Sequence, residues 1–285
     1  RGEFMVSGAR DFNIFVWSLK KPVPVVARGP RDPAAVPRSG PVAQIDAHYG
    51  HVTDLNFSPM DGGGLLASAG NDHAVKVWEV KTKRIGGVTL ANLWEADTAA
   101  KGGHTQAVTA VAWGRGPSRG RLFSAGWDHV IKVWEGKNGS LLATLRGHTS
   151  RITDLDVDFD GKVVVSVSAD YSALVWSASE PYSCLARYMT LSNDCGLTAV
   201  SAGKSLFVTA SDNGVVRVWA FPHASGHEAL FVEDLSKVPK AMLSRLPGAT
   251  PNLAVVVPGG LLKPGVVGVG VPAAVLTPPP DAVGG

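Results

Sequence analysis

The 285-residue sequence has few cysteines, no long apolar run and no recognisable metal-binding motif. Its two cysteines, Cys184 and Cys195, cannot form a disulfide framework, so we expect a cytoplasmic or nuclear protein. No run of about 20 apolar residues is present, which predicts no membrane span. HExxH, CxxC and paired-carboxylate motifs are missing as well, so we expect no catalytic residue, no metal and no cofactor.

The charge is also too small to identify a partner. The formal net charge is +3, which is mildly basic and does not by itself indicate a nucleic acid ligand. Glycine and proline are abundant instead, with 33 and 19 residues, as in chains with many turns.

A repeated phrase organises the chain. It ends in a tryptophan five times, at Trp17, Trp78, Trp134, Trp176 and Trp219. The spacings of 61, 56, 42 and 43 residues fit a repeat with two insertions. In each phrase an Asp or Asn lies six residues before the Trp, and a Ser or Thr lies four residues before that Asp or Asn.

Each repeat has the local pattern of β-structure. Segments such as "VVVSVSAD" and "SALVW" are short, rich in valine and small residues, and separated by a turn that holds Asp or Asn. A histidine precedes a further apolar strand in three repeats, at His48, His104 and His148. We therefore predict four short antiparallel strands in each repeat.

These features together resemble the WD40-repeat family over roughly residues 4–235. The resemblance implies an all-β fold, a β-propeller with four-stranded antiparallel blades. About five blades are visible, and we expect an incomplete piece of a seven-bladed propeller. The resemblance also implies a polar network in each of three blades, made of His48, Ser68, Asp72 and Trp78, of His104, Ser124, Asp128 and Trp134, and of His148, Ser166, Asp170 and Trp176.

A catalytic interpretation of these residues is the alternative. His104, Asp128 and Ser124 are the residue types of a nucleophilic triad. The same trio recurs in three blades, however, whereas an active site rarely does, so a structural role is favoured. The last repeat departs from the pattern, with Asn193 in place of the His and Asn213 in place of the Asp. Its network is therefore in doubt.

The sequence divides into two regions. Residues 1–235 hold the predicted blades; the first blade lacks its initial strands, and residues 18–42 form an insertion rich in Pro and Arg. Residues 236–285 are rich in Gly, Pro and Val. This tail is either a degenerate blade or a disordered extension.

One end of the predicted propeller is a candidate surface for protein partners. In this family the turn before the Trp strand and the loop that carries the His open on the same face. The candidate residues on it are Arg10, Phe12, Tyr49, His51, Asn71, His73, Trp127, His129, Arg151 and Tyr171. Trp127 stands out because no other repeat has an aromatic residue there. The alternative is an indole that packs on its neighbour.

The opposite end is predicted to be basic. Its candidate residues are Lys20, Lys21, Lys83, Arg84, Arg115, Arg119 and Arg121. They suit an acidic protein segment, anionic lipid headgroups or nucleic acid, and the alternative is a set of solvated loops. In "DLDVDFD", Asp154, Asp156, Asp158 and Asp160 alternate along one strand, which suits either a calcium site or a solvated outer turn.

These observations predict a non-enzymatic scaffold that mediates protein–protein interactions within a multiprotein complex. Its expected partners are proteins or peptides, and no small-molecule substrate is predicted. The alternative function is a propeller that binds nucleic acid or another anionic partner through the basic end.

Overall fold

The computed structural model describes residues 4–19, 40–59, 64–82, 88–97, 101–190, 196–221 and 253–254. Strands account for most of the regular structure in these ranges, and a short 3-10 turn lies at Gly116–Ser118. No helix within the described ranges is long and apolar enough to cross a membrane. The predicted boundary at residue 235 and almost all of the predicted tail lie outside the described residues.

The strands form five separate sheets, which we number blades 1 to 5 in chain order. Blade 1 contains β1 (Phe4–Gly8), β2 (Asn13–Ser18) and β3 (Ala43–Asp46). Blade 2 contains β4 (Val52–Phe57), β5 (Leu65–Gly70), β6 (Val75–Thr82) and β7 (Val88–Ala96). Blade 3 contains β8 (Val108–Trp113), β9 (Arg121–Gly126), β10 (Val130–Glu135) and β11 (Leu141–Arg146).

The last two blades continue the same order. Blade 4 contains β12 (Ile152–Val157), β13 (Val163–Ser168), β14 (Ser172–Ser177) and β15 (Cys184–Met189). Blade 5 contains β16 (Leu197–Ala202), β17 (Leu206–Ser211), β18 (Val216–Ala220) and β19 (Leu253–Ala254). The all-β propeller architecture with five visible blades is confirmed. Blade 5 differs in one respect, because β19 has only two residues and pairs parallel to β18.

The first strands of blades 2 to 5 lie side by side in chain order, since β4 contacts β8, β8 contacts β12, and β12 contacts β16. We call these four the inner strands. Each carries a threonine at its second position, where the pairing register shifts. Such a bulge turns a side chain out of the ladder. At three of these bulges the threonine hydroxyl reaches a carbonyl group of the next blade.

Threonine hydroxyl groups join neighbouring blades. Thr53 Oγ1 donates to the Val108 carbonyl at 2.7 Å, so blade 2 is bonded to blade 3. Thr109 Oγ1 donates to the carbonyl of Ile152 at 2.7 Å, and Thr153 Oγ1 donates to the carbonyl of Leu197 at 2.6 Å. The same contact thus recurs at three successive blade boundaries.

Aspartate side chains add a second link at two of these boundaries. Asp54 Oδ2 accepts from the Val111 N–H, and Asp154 Oδ2 accepts from the Val200 N–H, both at 2.8 Å. Burial raises the pKa of Asp154 to about 8; the Val200 N–H opposes this shift, and the negative charge of Asp54 adds to it. Burial likewise raises the pKa of Asp54. The inner strands therefore hold carboxylates in an unfavourable environment for charge.

These contacts change the interpretation of the row of four aspartates. Asp156 Oδ2 accepts from the Ala202 N–H at 2.9 Å, and the buried Asp158 accepts from the N–H groups of Lys162 and Val163. Backbone N–H groups therefore occupy oxygens of Asp156 and Asp158, and the interpretation as a solvated turn is wrong for the buried Asp158. Among the described residues, no group of three acidic, His or Cys side chains is placed to hold a metal.

The apolar core lies between neighbouring blades. Between blades 2 and 3, for example, Val75 and Val77 belong to the same cluster as Val111 and Trp134. Trp134 is completely buried, and its ring centre lies 5.9 Å from that of Trp94 in blade 2. Small and β-branched residues suit the close approach of adjacent sheets, and the tryptophan adds a large apolar surface to the cluster.

Candidate functional site

Blade 3 contains a buried polar network at the end of the sheet where β9 turns into β10. His104 Nε2 lies 2.8 Å from Ser124 Oγ, and His104 Nδ1 lies 2.9 and 3.0 Å from the two oxygens of Asp128. Ser124 Oγ accepts from the Trp134 Nε1–H at 2.8 Å. The carboxylate requires a proton on Nδ1, so Nε2 accepts from the serine hydroxyl. The four side chains thus satisfy one another.

The same network is present in blades 2 and 4. The distances from His Nε2 to Ser Oγ are 2.7 and 2.8 Å, and those from Trp Nε1 to Ser Oγ are 2.9 Å in both blades. The His Nδ1 atoms lie 2.9 and 3.0 Å from the carboxylates. The residues are His48, Ser68, Asp72 and Trp78 in blade 2, and His148, Ser166, Asp170 and Trp176 in blade 4.

The serines of these networks are unsuited to nucleophilic catalysis. Ser68, Ser124 and Ser166 have the order of contacts of a triad, yet each is 0% exposed. A nucleophile must reach its substrate at about 3 Å. In addition, each serine oxygen already accepts from an indole N–H. The geometry is that of buried polar groups that find partners in each other.

Electrostatics favour the charged carboxylate and the neutral imidazole. Burial opposes ionisation of Asp128, but the hydrogen bonds that its carboxylate accepts from His104 and from the Thr105 and Val130 N–H groups outweigh burial, so the pKa of Asp128 is lowered. The pKa values of Asp72 and Asp170 are lowered in the same way by their histidines. Burial lowers the pKa of His104 despite the nearby Asp128.

Blades 1 and 5 keep only part of this arrangement. The Trp17 Nε1–H donates to Ser7 Oγ at 2.8 Å, and the Trp219 Nε1–H donates to Thr209 Oγ1 at 2.9 Å. Asn213 accepts from the Val215 N–H at 3.2 Å, as an aspartate does in a complete blade. Asn193, predicted to replace the histidine, lies outside the described residues.

The turns and His-bearing loops of the blades lie at one end of the sheets, which we call the turn face. Hydrogen bonds join the two kinds of segment, as from the Tyr49 N–H to Asp72 and from the Trp127 N–H to the Ala107 carbonyl. Nine of the ten predicted binding residues on this face are exposed, and His51 is half-buried. The nine are Arg10, Phe12, Tyr49, Asn71, His73, Trp127, His129, Arg151 and Tyr171.

An unusual backbone conformation recurs on this face. The residue after the network Asp has a positive φ in blades 1 to 4, with values of 71° at Phe12, 68° at His73, 65° at His129 and 67° at Tyr171. In blade 5 the equivalent residue is Gly214, with a φ of 78°. Non-glycine residues adopt this left-handed region at an energetic disadvantage. Sequence reasoning missed this strain.

A known protein family matches the parts of the chain that hold these networks. The family described as WD domain, G-beta repeat matches residues 39–79, 98–135 and 139–177. These stretches contain the first three strands of blades 2, 3 and 4, and therefore all three complete networks. The chain contains WD40 repeats.

Several curated proteins share these WD40 repeats. Nuclear distribution protein PAC1 of Arthroderma benhamiae is 32% identical over 141 residues, which are 47% of this chain and 28% of that protein. Transducin beta-like protein 3 of Rattus norvegicus is 30% identical over 193 residues, 64% of this chain and 22% of that protein. Small ribosomal subunit protein RACK1y of Oryza sativa subsp. japonica is 26% identical over 214 residues, 62% of each. The chain spans less than two thirds of each relative.

A solved structure shows the same fold. The structure titled "Structure of U3-55K" superposes with a TM-score of 0.57 at 21% identity. The match covers 76% of this chain and 57% of that chain. At this identity the likeness establishes the WD40 fold of the blades and carries nothing about partners.

Three aromatic side chains on the turn face lie close to the side chain of an arginine, a lysine or a histidine. The guanidinium carbon of Arg151 in the blade 4 loop lies 5.5 Å from the ring centre of Trp127 in blade 3. Lys76 Nζ lies 5.5 Å from the ring centre of Tyr49, and Phe12 stacks on His51 at 6.0 Å. Trp127 does contact its neighbour, but it remains 46% exposed. Both interpretations of Trp127 therefore describe part of its environment.

The arginines of the predicted basic end are less available to bind a partner than the sequence indicated, because some of them contact other residues of the protein. Arg121 Nη1 lies 2.8 Å from Glu135, and its Nε–H donates to the Tyr182 hydroxyl at 3.2 Å. Arg115 is half-buried, whereas Arg119 is exposed. Lys20, Lys21, Lys83 and Arg84 lie outside the described residues. The arginines of this end therefore form no simple, unpaired row.

Proposed function

We propose that the protein is a non-enzymatic scaffold that binds other proteins or peptides through its turn face. The backbone conformation of Phe12, His73, His129 and Tyr171 supports this proposal. Large side chains in the left-handed region cost about 1–2 kcal/mol each. Gly214 shows that glycine fits the same turn. The fold therefore does not require large side chains there, and a binding role gives them a reason.

The exposure of these side chains also supports a binding role for the turn face. Phe12 is 43% exposed, Tyr171 is 44% exposed, and Tyr49 on the same face is 92% exposed. Tyrosine, tryptophan and arginine are the residues most enriched in binding hot spots. A surface that gathers them on one end of a rigid set of blades suits partner binding better than any buried group of the molecule.

The relatives support an intracellular setting for this scaffold. One is named a nuclear distribution protein and another a small ribosomal subunit protein. WD40 proteins bind other proteins, and membership in a multiprotein complex is part of the proposal for this chain.

Replacement of a strained aromatic residue by glycine separates binding from folding. Tyr171→Gly removes an exposed hot-spot candidate and the strain of a positive φ together. We expect an unchanged or slightly higher midpoint of thermal unfolding, because the relief of strain offsets the greater freedom of glycine in the unfolded chain. Capture of partner proteins from a cell lysate, measured by quantitative mass spectrometry, is expected to fall several-fold.

Lys137→Gln is the matched control, since Lys137 is an exposed residue in the turn between β10 and β11 at the opposite end of blade 3. It should leave the captured proteins unchanged. If Tyr171→Gly lowers stability by more than about 1 kcal/mol, the strain argument is wrong. Full capture by both Tyr171→Gly and Trp127→Ala would instead remove the turn face from the proposal.

The basic end remains the basis of the alternative, a protein that binds nucleic acid. A combined Arg115→Gln, Arg119→Gln and Arg121→Gln variant tests it. Binding that depends on phosphate contacts weakens steeply with salt, and loss of these arginines should reduce that slope. The ion pair between Arg121 and Glu135 makes this outcome less expected than the loss caused by changes on the turn face.

A further inference from the structure

The turn face of blades 3 and 4 is rich in hydrogen-bond donors and poor in available acceptors. Its basic residues include Arg146 at the end of β11 and Arg151 before β12, and both are exposed. Among the described residues, no carboxylate lies within ion-pair distance of either guanidinium. The exposed His129 lies in the turn between β9 and β10, on the same part of the face.

The carboxylates of this part of the face point inwards. The side chain of Asp128 is 7% exposed and that of Asp170 is 6% exposed. Asp128 accepts from His104 and from the Thr105 N–H. Asp170 accepts from His148, from the Thr149 N–H and from Ser172. A partner that approaches blades 3 and 4 therefore meets free donors, while the acidic acceptors are already occupied.

The position of Arg151 depends on a difference between blades. The Asn71 N–H donates to the His51 carbonyl in blade 2, and the Trp127 N–H donates to the Ala107 carbonyl in blade 3. Ala107 thus stands where blades 2 and 4 have His51 and Arg151. Its small side chain leaves Trp127 uncovered by its own loop, and the guanidinium of Arg151 from the next blade lies over the indole ring.

An arginine held over an indole ring is well suited to bind a carboxylate. The guanidinium carbon of Arg151 lies at cation–π distance from the ring, and the N–H groups of a guanidinium can form a bidentate contact with a carboxylate. The cation–π contact also restricts the side chain before the partner arrives, which reduces the entropy lost on binding. The part of the indole that stays exposed can receive an apolar side chain of the same partner.

We propose that the turn face of blades 3 and 4 binds an acidic peptide segment. In this arrangement a Glu or Asp carboxylate of the partner contacts Arg151, and an adjacent apolar or aromatic side chain packs against Trp127. The inference rests on the proposed function of the turn face, and adds the chemical class of the partner and the residues that select it. One arginine over an exposed indole, with Arg146 as a second exposed arginine on this face, fits a short acidic segment better than nucleic acid, which is bound by longer basic stripes.

Selection from a random peptide library tests the proposal without a known partner. The full chain is immobilised, a displayed library of random twelve-residue peptides is selected against it, and the enriched sequences are determined. We expect enrichment of Asp and Glu next to apolar or aromatic residues. Synthetic copies of the enriched peptides should bind at least tenfold more weakly to Arg151→Gln and to Trp127→Ala, and with unchanged affinity to Lys137→Gln.

A charge reversal provides the sharpest arm of this experiment. Selection against Arg151→Glu should no longer enrich acidic peptides and should favour Lys or Arg. If the wild-type selection enriches neutral or basic peptides that Tyr171→Gly fails to bind, the inference about acidic partners is wrong while the turn face keeps its proposed function. If the enriched peptides bind all turn-face variants normally, or if no peptide is enriched, both proposals are wrong. Competition by a single-stranded oligonucleotide, but not by a polyglutamate peptide, would also overturn the inference.

Discussion

Blades 3 and 5 each have an inner strand, a turn between the second and third strands and a terminal tryptophan, but they differ in the hydrogen bonds that support the tryptophan. In blade 3, Trp134 donates to Ser124, which also contacts His104 and, through it, Asp128. In blade 5, Trp219 donates to Thr209, and Asn213 takes the position of the aspartate. The bond between indole and hydroxyl is thus present without the full network. The His and Asp pair adds hydrogen bonds that join the loop before the blade to the turn between its second and third strands.

The largest expected effect on stability concerns this His and Asp pair. Asp128→Ala removes the acceptor of both His104 Nδ1–H and the Thr105 N–H. A buried donor without a partner costs about 1–3 kcal/mol. We therefore expect Asp128→Ala to lower the free energy of unfolding by about that amount, measured by urea denaturation.

Asn213→Ala is the matched variant in blade 5. Asn213 accepts from the Val215 N–H in an exposed turn, and its repeat has Asn193 in place of the histidine, so no imidazole N–H loses its acceptor and the loss should be smaller. Equal losses in the two variants would mean that the His and Asp pair adds nothing to the blade, and the comparison would fail.

A medium effect is expected at the threonines of the inner strands. Thr153→Val keeps the shape of the side chain and removes its hydrogen bonds to the Leu197 carbonyl of the next blade at 2.6 Å and to the Val167 carbonyl of its own sheet at 3.1 Å. We expect a loss of about 0.5–1.5 kcal/mol in urea denaturation. Thr198→Val is the control, because Thr198 donates at 3.3 Å to Ala210 within its own sheet. A loss of stability with Thr198→Val as large as that with Thr153→Val would show that the contact between blades is not the source.

The smallest effect is a change in pH dependence. The folded-state pKa of Asp154 is raised by burial to about 8, above the 3.8 of an ordinary aspartate. The folded state therefore favours the protonated form, and the associated stability is fully present below about pH 4 and is lost as the pH rises from there to about 8. Asp154→Asn has no such proton to lose, so its stability should fall less than that of the wild type between pH 6 and pH 9.

Thermal unfolding across this pH range measures the difference. Asp212→Asn removes an exposed carboxylate and should follow the wild type. The networks act in the opposite direction, since the lowered pKa values of Asp72, Asp128 and Asp170 give stability that is lost as the pH falls below about 4. A variant Asp154→Asn with the same slope as the wild type above pH 6 would contradict the buried position of this carboxylate.

Sequence patterns were sufficient for the blades and for the contacts within them. Each Trp-ending phrase formed two neighbouring antiparallel strands of one sheet, and the His, Ser and Asp of three repeats lie together as the family resemblance implied. These features depend on residues of one repeat, so the pattern of one repeat predicts them.

The pattern of a single repeat could not predict the contacts between repeats. Thr109 is one polar residue in "VTAVAW", and nothing in that segment shows that its acceptor is a carbonyl 43 residues later. The recurrence of threonine at the second position of all four inner strands was the available signal. Likewise, alternation placed Asp154 and Asp156 on one face of a strand, but not which blade that face meets. The strain at Phe12 and Tyr171 required the φ angles themselves.

The threonine contacts of the inner strands also explain where the chain tolerates extra length. Insertions lengthen the repeats of blades 1 and 2, and β6 and β7 have eight and nine residues where β10 and β11 have six. All of this variation lies in the outer strands and their connections. Neighbouring blades from 2 to 5 are joined at the opposite edge, by a hydroxyl and a carbonyl in equivalent positions. New loops can therefore be acquired at the periphery during evolution while the geometry of the assembly stays the same.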